Sequence, residues 1–315
     1  MRQLADFIKQ GENFAVISHI SPDGDTMGSA AALIYALEKL GKRAQWFCEG
    51  NIPAAFMKIE EIASLTKREK LKRFDSVICV DCSDEARLGS CAQLLKTIKR
   101  TAQLDHHRTN TFYAQVNAVY PHSAAGFLVM KLLKELEIEL DTHMARALFV
   151  SVSTDTGRLS HNGVTAEEVR QTAALYEYDI RQDELTGILF QTAALRKIRL
   201  RGRAIEHLAT AFEGRVAYTY LDADDYSAFH AEQADSDDVV ELCRSVEGAH
   251  IAFFIRQTED GYKASLRCLP QYDVSAVCAA FGGGGHKLAA GCNLPGTRQQ
   301  VLEQLLNALK EVLRA

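Results

Sequence analysis

Short apolar runs alternate with amphipathic stretches through the first half of the sequence, and few folds accommodate that rhythm. The candidate strands are Phe14–Ile20, Arg43–Cys48, Asp75–Asp81 and Thr101–Asp105. Between the first two, TMGSAAALIYALEKLG has helical apolar spacing and closes on Gly41, a residue suited to a helix stop. Strand and helix in alternation predict an α/β fold, a parallel sheet with helices on both faces. Ser123–Leu140 and Thr142–Gly157 read as further helices, and Leu185–Leu208 as a long helical connector. Beyond it RVAYTYL, HIAFFIRQ and YKASLRC are strand-like; a helix, a glycine run and a final helix over Arg298–Arg314 follow. The expected organisation is a larger α/β domain over 1–185, a helical linker over 186–208 and a smaller α+β domain over 209–315.

The bulk numbers agree with two buried cores, since 47% of the 315 residues are hydrophobic and only 5 are proline. A net charge of -5 argues against gripping long nucleic acid through a broad basic face, which needs many phosphate contacts. The first residues, MRQLADFIKQGENFAV, lack a secretory apolar core, and no later stretch approaches a membrane-spanning length. A cytoplasmic protein without membrane contact is expected. Its eight cysteines are scattered, which suits reduced thiols; Cys79 and Cys82 share a C-x-x-C spacing, but Cys79 falls inside an apolar strand and no second pair completes a zinc site.

Chemistry concentrates where the candidate strands finish, the place where open α/β sheets bind ligands. The first strand leads to His19 and the turn S-P-D-G-D with Asp23 and Asp25, the third ends on Asp81, and the fourth on Asp105, His106 and His107. Asp155 lies in S-T-D-T-G at the close of a helical run. Asp23, Asp25 and Asp81 also suit helix capping, and Asp155 a turn. An acid with two imidazoles at an apolar strand's end is harder to explain without a metal or a reaction. Taken together, His19, Asp23, Asp25, Asp81, His106 and Asp155 form an oxygen and imidazole donor set for two divalent ions, Mn²⁺ first and then Mg²⁺ or Co²⁺. Such a pair, about 4 Å apart, suits phosphate ester hydrolysis, with Asp81 on a central strand as the bridging carboxylate.

These residues resemble the DHH phosphoesterase superfamily. The likeness is carried by D-H-H itself (Asp105–His107), by S-H-I-S-P-D-G-D-T-M-G-S (Ser18–Ser29), V-D-C-S-D (Val80–Asp84) and T-D-T-G (Thr154–Gly157), and by F-G-G-G-G-H-K-L-A-A-G (Phe281–Gly291), which is similar to the DHH-associated substrate domain. The resemblance implies that His19 and Asp23 hold one metal, Asp25 and His106 the other, and that Asp81 and Asp155 complete both sites. It makes Asp81, His107 and Asp155 the catalytic residues, with His107 facing the substrate phosphate, and it implies a homodimer. Within the superfamily the two-domain layout is most similar to the group that cleaves short oligoribonucleotides and 3'-phosphoadenosine 5'-phosphate (pAp).

Consecutive glycines expose backbone N–H groups and let a ligand approach closely, so Gly283, Gly284 and Gly285 with His286 and Arg267 are the expected substrate contacts. Two departures from the family pattern bear on base preference: R-L-S-H-N-G-V-T follows T-D-T-G, and S-L-R-C carries Cys268 in place of a hydroxyl. The expected activity is metal-dependent hydrolysis of very short RNA and pAp, without long duplex DNA as a partner. The competing readings are a phosphodiesterase of the cyclic-dinucleotide pathway, acting on c-di-AMP or pApA, a pyrophosphatase, and a nucleotide-binding module without turnover.

Overall fold

The computed structural model describes residues 1–68, 70–161 and 163–313. Arg314, the expected last residue of the final helix, lies outside them. The chain divides into two units, Met1–Thr192 and Ala193–Ala315.

The first unit runs α1 (Arg2–Gln10), β1 (Asn13–Ile17), α2 (Gly24–Lys39), β2 (Arg43–Phe47), α3 (Glu60–Lys67), β3 (Ser76–Val80), α4 (Gln93–Thr97), β4 (Arg100–Asp105), β5 (Val116–Val119), α5 (Ala125–Glu135), α6 (Thr142–Asp155), α7 (Ala166–Leu175) and α8 (Gln182–Thr186). Its five strands pair in parallel in the order β2-β1-β3-β4-β5. Alternation puts Val16 and Ile78 into the core under α2, α5 and α6, while Ala15, Ile17, Val77 and Cys79 face a second cluster under α4 and the turn Glu85–Ala92. Helices therefore cover both faces. Strand order reverses between β1 and β3, and in sheets of this winding the ligand crevice opens at that switch point.

α2 and α6 pack at close range because Gly28 has no side chain. A methyl group there would overlap the Ala147 carbonyl and the Ser151 backbone. Cys79 is buried in β3, and the Cys82 thiol donates to the Asp84 carbonyl at 3.2 Å, so the C-x-x-C spacing has a packing explanation.

The connector expected over 186–208 is not one helix. After α8 come a π-helical turn, Gly187–Gln191, and extended backbone at Thr192 and Ala194; helix then resumes as α9 (Leu195–Glu206). Two cores claim the two ends of this stretch: Leu185 is buried in the first unit, Leu200 and Ala204 in the second. Apolar spacing alone could not reveal that change of partner.

The second unit continues β6 (Ala209–Ala211), β7 (Val216–Leu221), α10 (Ala223–Phe229), α11 (Val239–Arg244), β8 (Ile251–Thr258), β9 (Gly261–Cys268), α12 (Val274–Ala280), β10 (Gly284–His286), β11 (Ala289–Pro295) and α13 (Arg298–Val312). Its mixed sheet has the order β10-β11-β9-β8-β7-β6, parallel only between β7 and β8. One face packs on α12 and α13 through Phe253, Leu266 and Leu305; the other packs on α9 and α11 through Phe254, Ala252 and Cys243.

Candidate metal centre

The loop after β1 delivers His19, which is buried, and then Asp23, the N-cap of α2. One Asp23 oxygen accepts from the Thr26 N–H at 3.1 Å; the other lies 3.8 Å from His19 Nε2. The capping role and the donor role coexist, one on each oxygen. Asp25, in the first turn of α2, is buried among donors from two other helices. Its Oδ2 accepts from the Ala125 N–H at 2.7 Å and its Oδ1 from the Gly126 N–H at 3.3 Å and from the Ser29 and Ser151 hydroxyls. The carboxylate thus sits on the N-terminus of α5, where peptide dipoles favour negative charge.

Asp81 follows β3, the middle strand. Its backbone is left-handed (φ 56°), yet its N–H still donates to the Leu104 carbonyl at 2.9 Å. Asp tolerates this region better than most residues, and strained backbone of this kind clusters at functional sites. Asp84, not Asp81, caps the turn that follows, accepting from the Arg87 N–H at 3.0 Å. Asp81 Oδ2 lies 3.7 Å from His19 Nε2 and Oδ1 lies 3.2 Å from His106 Nε2, so one carboxylate faces an imidazole on each side. His106 donates from Nδ1 to the His122 carbonyl at 2.9 Å, which turns Nε2 toward Asp81, Asp155 (3.5 Å) and Asp25 (3.6 Å). Asp155 is the last residue of α6.

Three overlapping donor groups result: His19, Asp23 and Asp81; Asp25, His106 and Asp155; and Asp81, His106 and His107. The structure brings together all six side chains singled out from sequence. Arg267, Gly283, Gly284, Gly285 and His286 belong to the second unit. Arg267 and His286 share one cross-strand row through Ala289; Gly284 and Gly285 open β10 of the β10–β11 hairpin, and Gly283 precedes them. Arg267 already has protein partners, Glu241 Oε1 at 3.2 Å and the Leu266 carbonyl at 3.0 Å.

Electrostatics distinguish this cluster from an ordinary ion-pair network. Burial, reinforced by Asp81 and Asp155, pushes the Asp25 carboxyl well above its usual value; burial, with Asp81 and Asp23, lifts Asp155 to about 6. Asp23 rises too, through burial and Asp81. Asp81 goes the other way: burial opposes ionisation, but the His106 and His19 imidazoles bring it down to about 2. Burial works against charge on His106 as well, yet Asp81 and Asp25 raise it to about 10. Crowded carboxylates that favour a proton this strongly are carboxylates short of positive charge. His19 Nδ1, buried beside the cluster, has no hydrogen-bond partner among the described residues. The oxygen and imidazole donor set and its shortage of positive charge both fit divalent cations.

Several contributors carried no assignment from sequence. Asp105, fully buried, accepts from His107 Nδ1 at 2.7 Å and from the Asn110 amide, and its hydrogen bond raises the His107 pKa. Glu168 holds the loop that supplies the His122 carbonyl, accepting from the Ser123 N–H at 3.0 Å and from His122 Nδ1 at 2.9 Å. His122, assigned no site role from sequence, thus supports His106 through its backbone. The tripeptide at 105–107 draws attention to Asp105 without giving it a role; nothing local marks Glu168.

A parallel sheet whose carboxyl ends gather four aspartates and two histidines around a charge deficit, followed by a mixed-sheet unit with a glycine hairpin, is the architecture of a phosphoesterase. The chain belongs to the DHH family: the model of the DHH family N-terminal domain matches residues 13–170, and that of the DHHA1 domain matches residues 213–315. It is 31% identical over 316 residues to the bifunctional oligoribonuclease and PAP phosphatase NrnA of Thermus thermophilus, an alignment covering 99% of this chain and 94% of the relative. An exopolyphosphatase-related protein from Bacteroides fragilis shares the fold at a TM-score of 0.87, with 20% identity and coverage of 98% of this chain and 95% of that one. RecJ of Thermus thermophilus in complex with Mn²⁺ matches at a TM-score of 0.53 and 14% identity, over all of this chain and 55% of RecJ. No described helix is long and apolar enough to cross a membrane.

Proposed function

We propose that this chain hydrolyses phosphate esters of very short oligoribonucleotides and of pAp, using two divalent metal ions, Mn²⁺ foremost. His19, Asp23, Asp25, Asp81, His106 and Asp155 are the residues that would hold them. The observation that carries the reading is the position of Asp81, whose two oxygens each face a different imidazole within one buried, electron-rich cluster. The T. thermophilus relative, alike over its full length and named as an oligoribonuclease and PAP phosphatase, supports the substrate class.

When bound, the ions would supply Lewis acidity that polarises the phosphoryl group and lowers the pKa of the attacking water. The protein's own groups do the rest. His107, tied through Nδ1 to Asp105, keeps Nε2 for hydrogen bonding to the substrate phosphate, and Asp105 favours its protonated, anion-binding form. His106 is held by the His122 carbonyl so that only Nε2 faces the cluster. Asp155, partly exposed, closes the solvent side of the cluster beside His106. Arg267 and His286, on one row of the second sheet, are a separate set of anion contacts.

A panel of 5'-labelled RNA from two to about twenty-four nucleotides, with pAp, pApA, c-di-AMP and pyrophosphate, tests this in Mn²⁺. Dinucleotides and pAp should be turned over fastest and Asp81→Ala should abolish turnover. Undiminished hydrolysis after exhaustive chelation, or preference for the longest RNA, would overturn the reading.

A further inference from the structure

A cavity of about 370 Å³ is lined by both histidines of the D-H-H tripeptide together with the aromatic residues Phe112 and Tyr120. His106, His107, Arg108, Phe112, Tyr120 and Pro121 contribute to its lining. Phe112 is the unusual member. The residue is 60% exposed, so folding gains little burial from it. Its backbone is nevertheless held at φ 53°, the left-handed region that a bulky side chain enters only at a cost.

The restraints that hold it are visible on both sides. The Phe112 N–H donates to Asn110 Oδ1 at 2.7 Å, the Thr111 N–H to the Ser83 carbonyl at 2.9 Å, and the Tyr113 hydroxyl to the Cys82 carbonyl at 3.1 Å. Asn110 also bonds to Asp105, the partner of His107. The loop carrying the ring is therefore pinned to the two residues after Asp81 and to the tripeptide itself. Tyr120 is fixed likewise, its N–H donating to the Asp105 carbonyl at 3.1 Å. Strained backbone, an exposed ring and rigid anchoring to the reacting end of the sheet together describe a preorganised binding surface.

We infer that Phe112 is a stacking platform for one nucleobase of the substrate, placed so that the attached phosphate reaches His107 while Arg108 meets the same phosphate or its neighbour. A flat aromatic face suits any base, and unpaired bases are commonly bound by such stacking. Arg108 adds charge at the cavity wall. The inference rests on the reading of the site as one for short nucleotides and adds a base-binding contact to it.

The test uses the full-length protein and a phosphorothioate-linked dinucleotide carrying the fluorescent base 2-aminopurine, placed in turn at each position. Stacking quenches this base. In one of the two positions the unsubstituted protein should quench it, and Phe112→Leu, which keeps an apolar side chain without the π face, should weaken binding about fivefold or more and restore the fluorescence. Phe112→Gly should do the same while melting no lower than the parent, because glycine relieves the left-handed backbone. A matching dinucleotide lacking that base should bind more weakly and respond little to either substitution. Tight, quenched binding that both variants retain would overturn the stacking role and leave the proposed hydrolysis standing. Failure of the parent protein to bind or cleave any dinucleotide would overturn both.

Discussion

Asp81 is asked to be two things at once, a residue with left-handed backbone and a carboxylate with an imidazole on either side. Asn also tolerates that backbone, so Asp81→Asn isolates the charge where Asp81→Ala would add strain. Asp81→Asn should lower Mn²⁺ affinity by about tenfold or more, measured calorimetrically, and turnover of pAp by at least as much. Its melting temperature without metal should fall, since the ionised carboxylate that His106 and His19 hold down at a pKa of about 2 is lost. Asp105→Ala should leave Mn²⁺ affinity close to the parent's and reduce kcat about tenfold to a hundredfold, because the His107 ring loses its anchor; Asp105→Asn should recover part of the loss. That His19, Asp23, Asp25, Asp81, His106 and Asp155 gather in one cluster was legible in the sequence because each follows an apolar run or flanks a helix, the ends that an α/β sheet brings together. Asn110 was not, since its partners Cys82, Gln103 and Asp105 come from two strands' ends and meet only in the folded sheet.

Among the elements, α7 looks remote from the centre and is not. Its Glu168 closes a capping box with Thr165 and reaches back to His122 and Ser123, whose loop positions His106. Burial would raise the Glu168 carboxyl, but the Ser123 and Thr165 N–H groups with His122 and the Thr165 hydroxyl bring it down to about 2, below the ordinary 4.5. A carboxyl depressed on folding stabilises fully above its ordinary pKa, and the benefit disappears as pH falls from there toward 2. Denaturant titrations should therefore find the parent losing on the order of 2 kcal/mol more than Glu168→Gln between neutral pH and the acid end of that window. Gly28 governs a different contact: Gly28→Ala, forcing α2 from α6, should cost about 1 to 3 kcal/mol of stability and weaken Mn²⁺ binding, since the two helices carry Asp25 and Asp155. The main strands and helices were readable from apolar period. β5, only four residues with an interrupted apolar pattern, was not, and the helical period through 186–208 gave no sign that two cores divide it.

At the scale of the whole chain, each unit has its own core and the entire carboxylate cluster lies in the first. Ligands stabilise only what they bind, so Mn²⁺ at about a hundred times its dissociation constant should add roughly 2.7 kcal/mol to the first unit and leave the second unchanged. Scanning calorimetry should then show one transition moving upward with metal and another staying fixed; a single transition that shifts as a whole would mean that the units melt together. Asp25 carries the last consequence. It belongs to α2, receives the first N–H groups of α5 and accepts from a serine of α6, so three helices converge on one anion. A shift in how those helices nest therefore displaces that anion as well, so one carboxylate registers the packing of three helices.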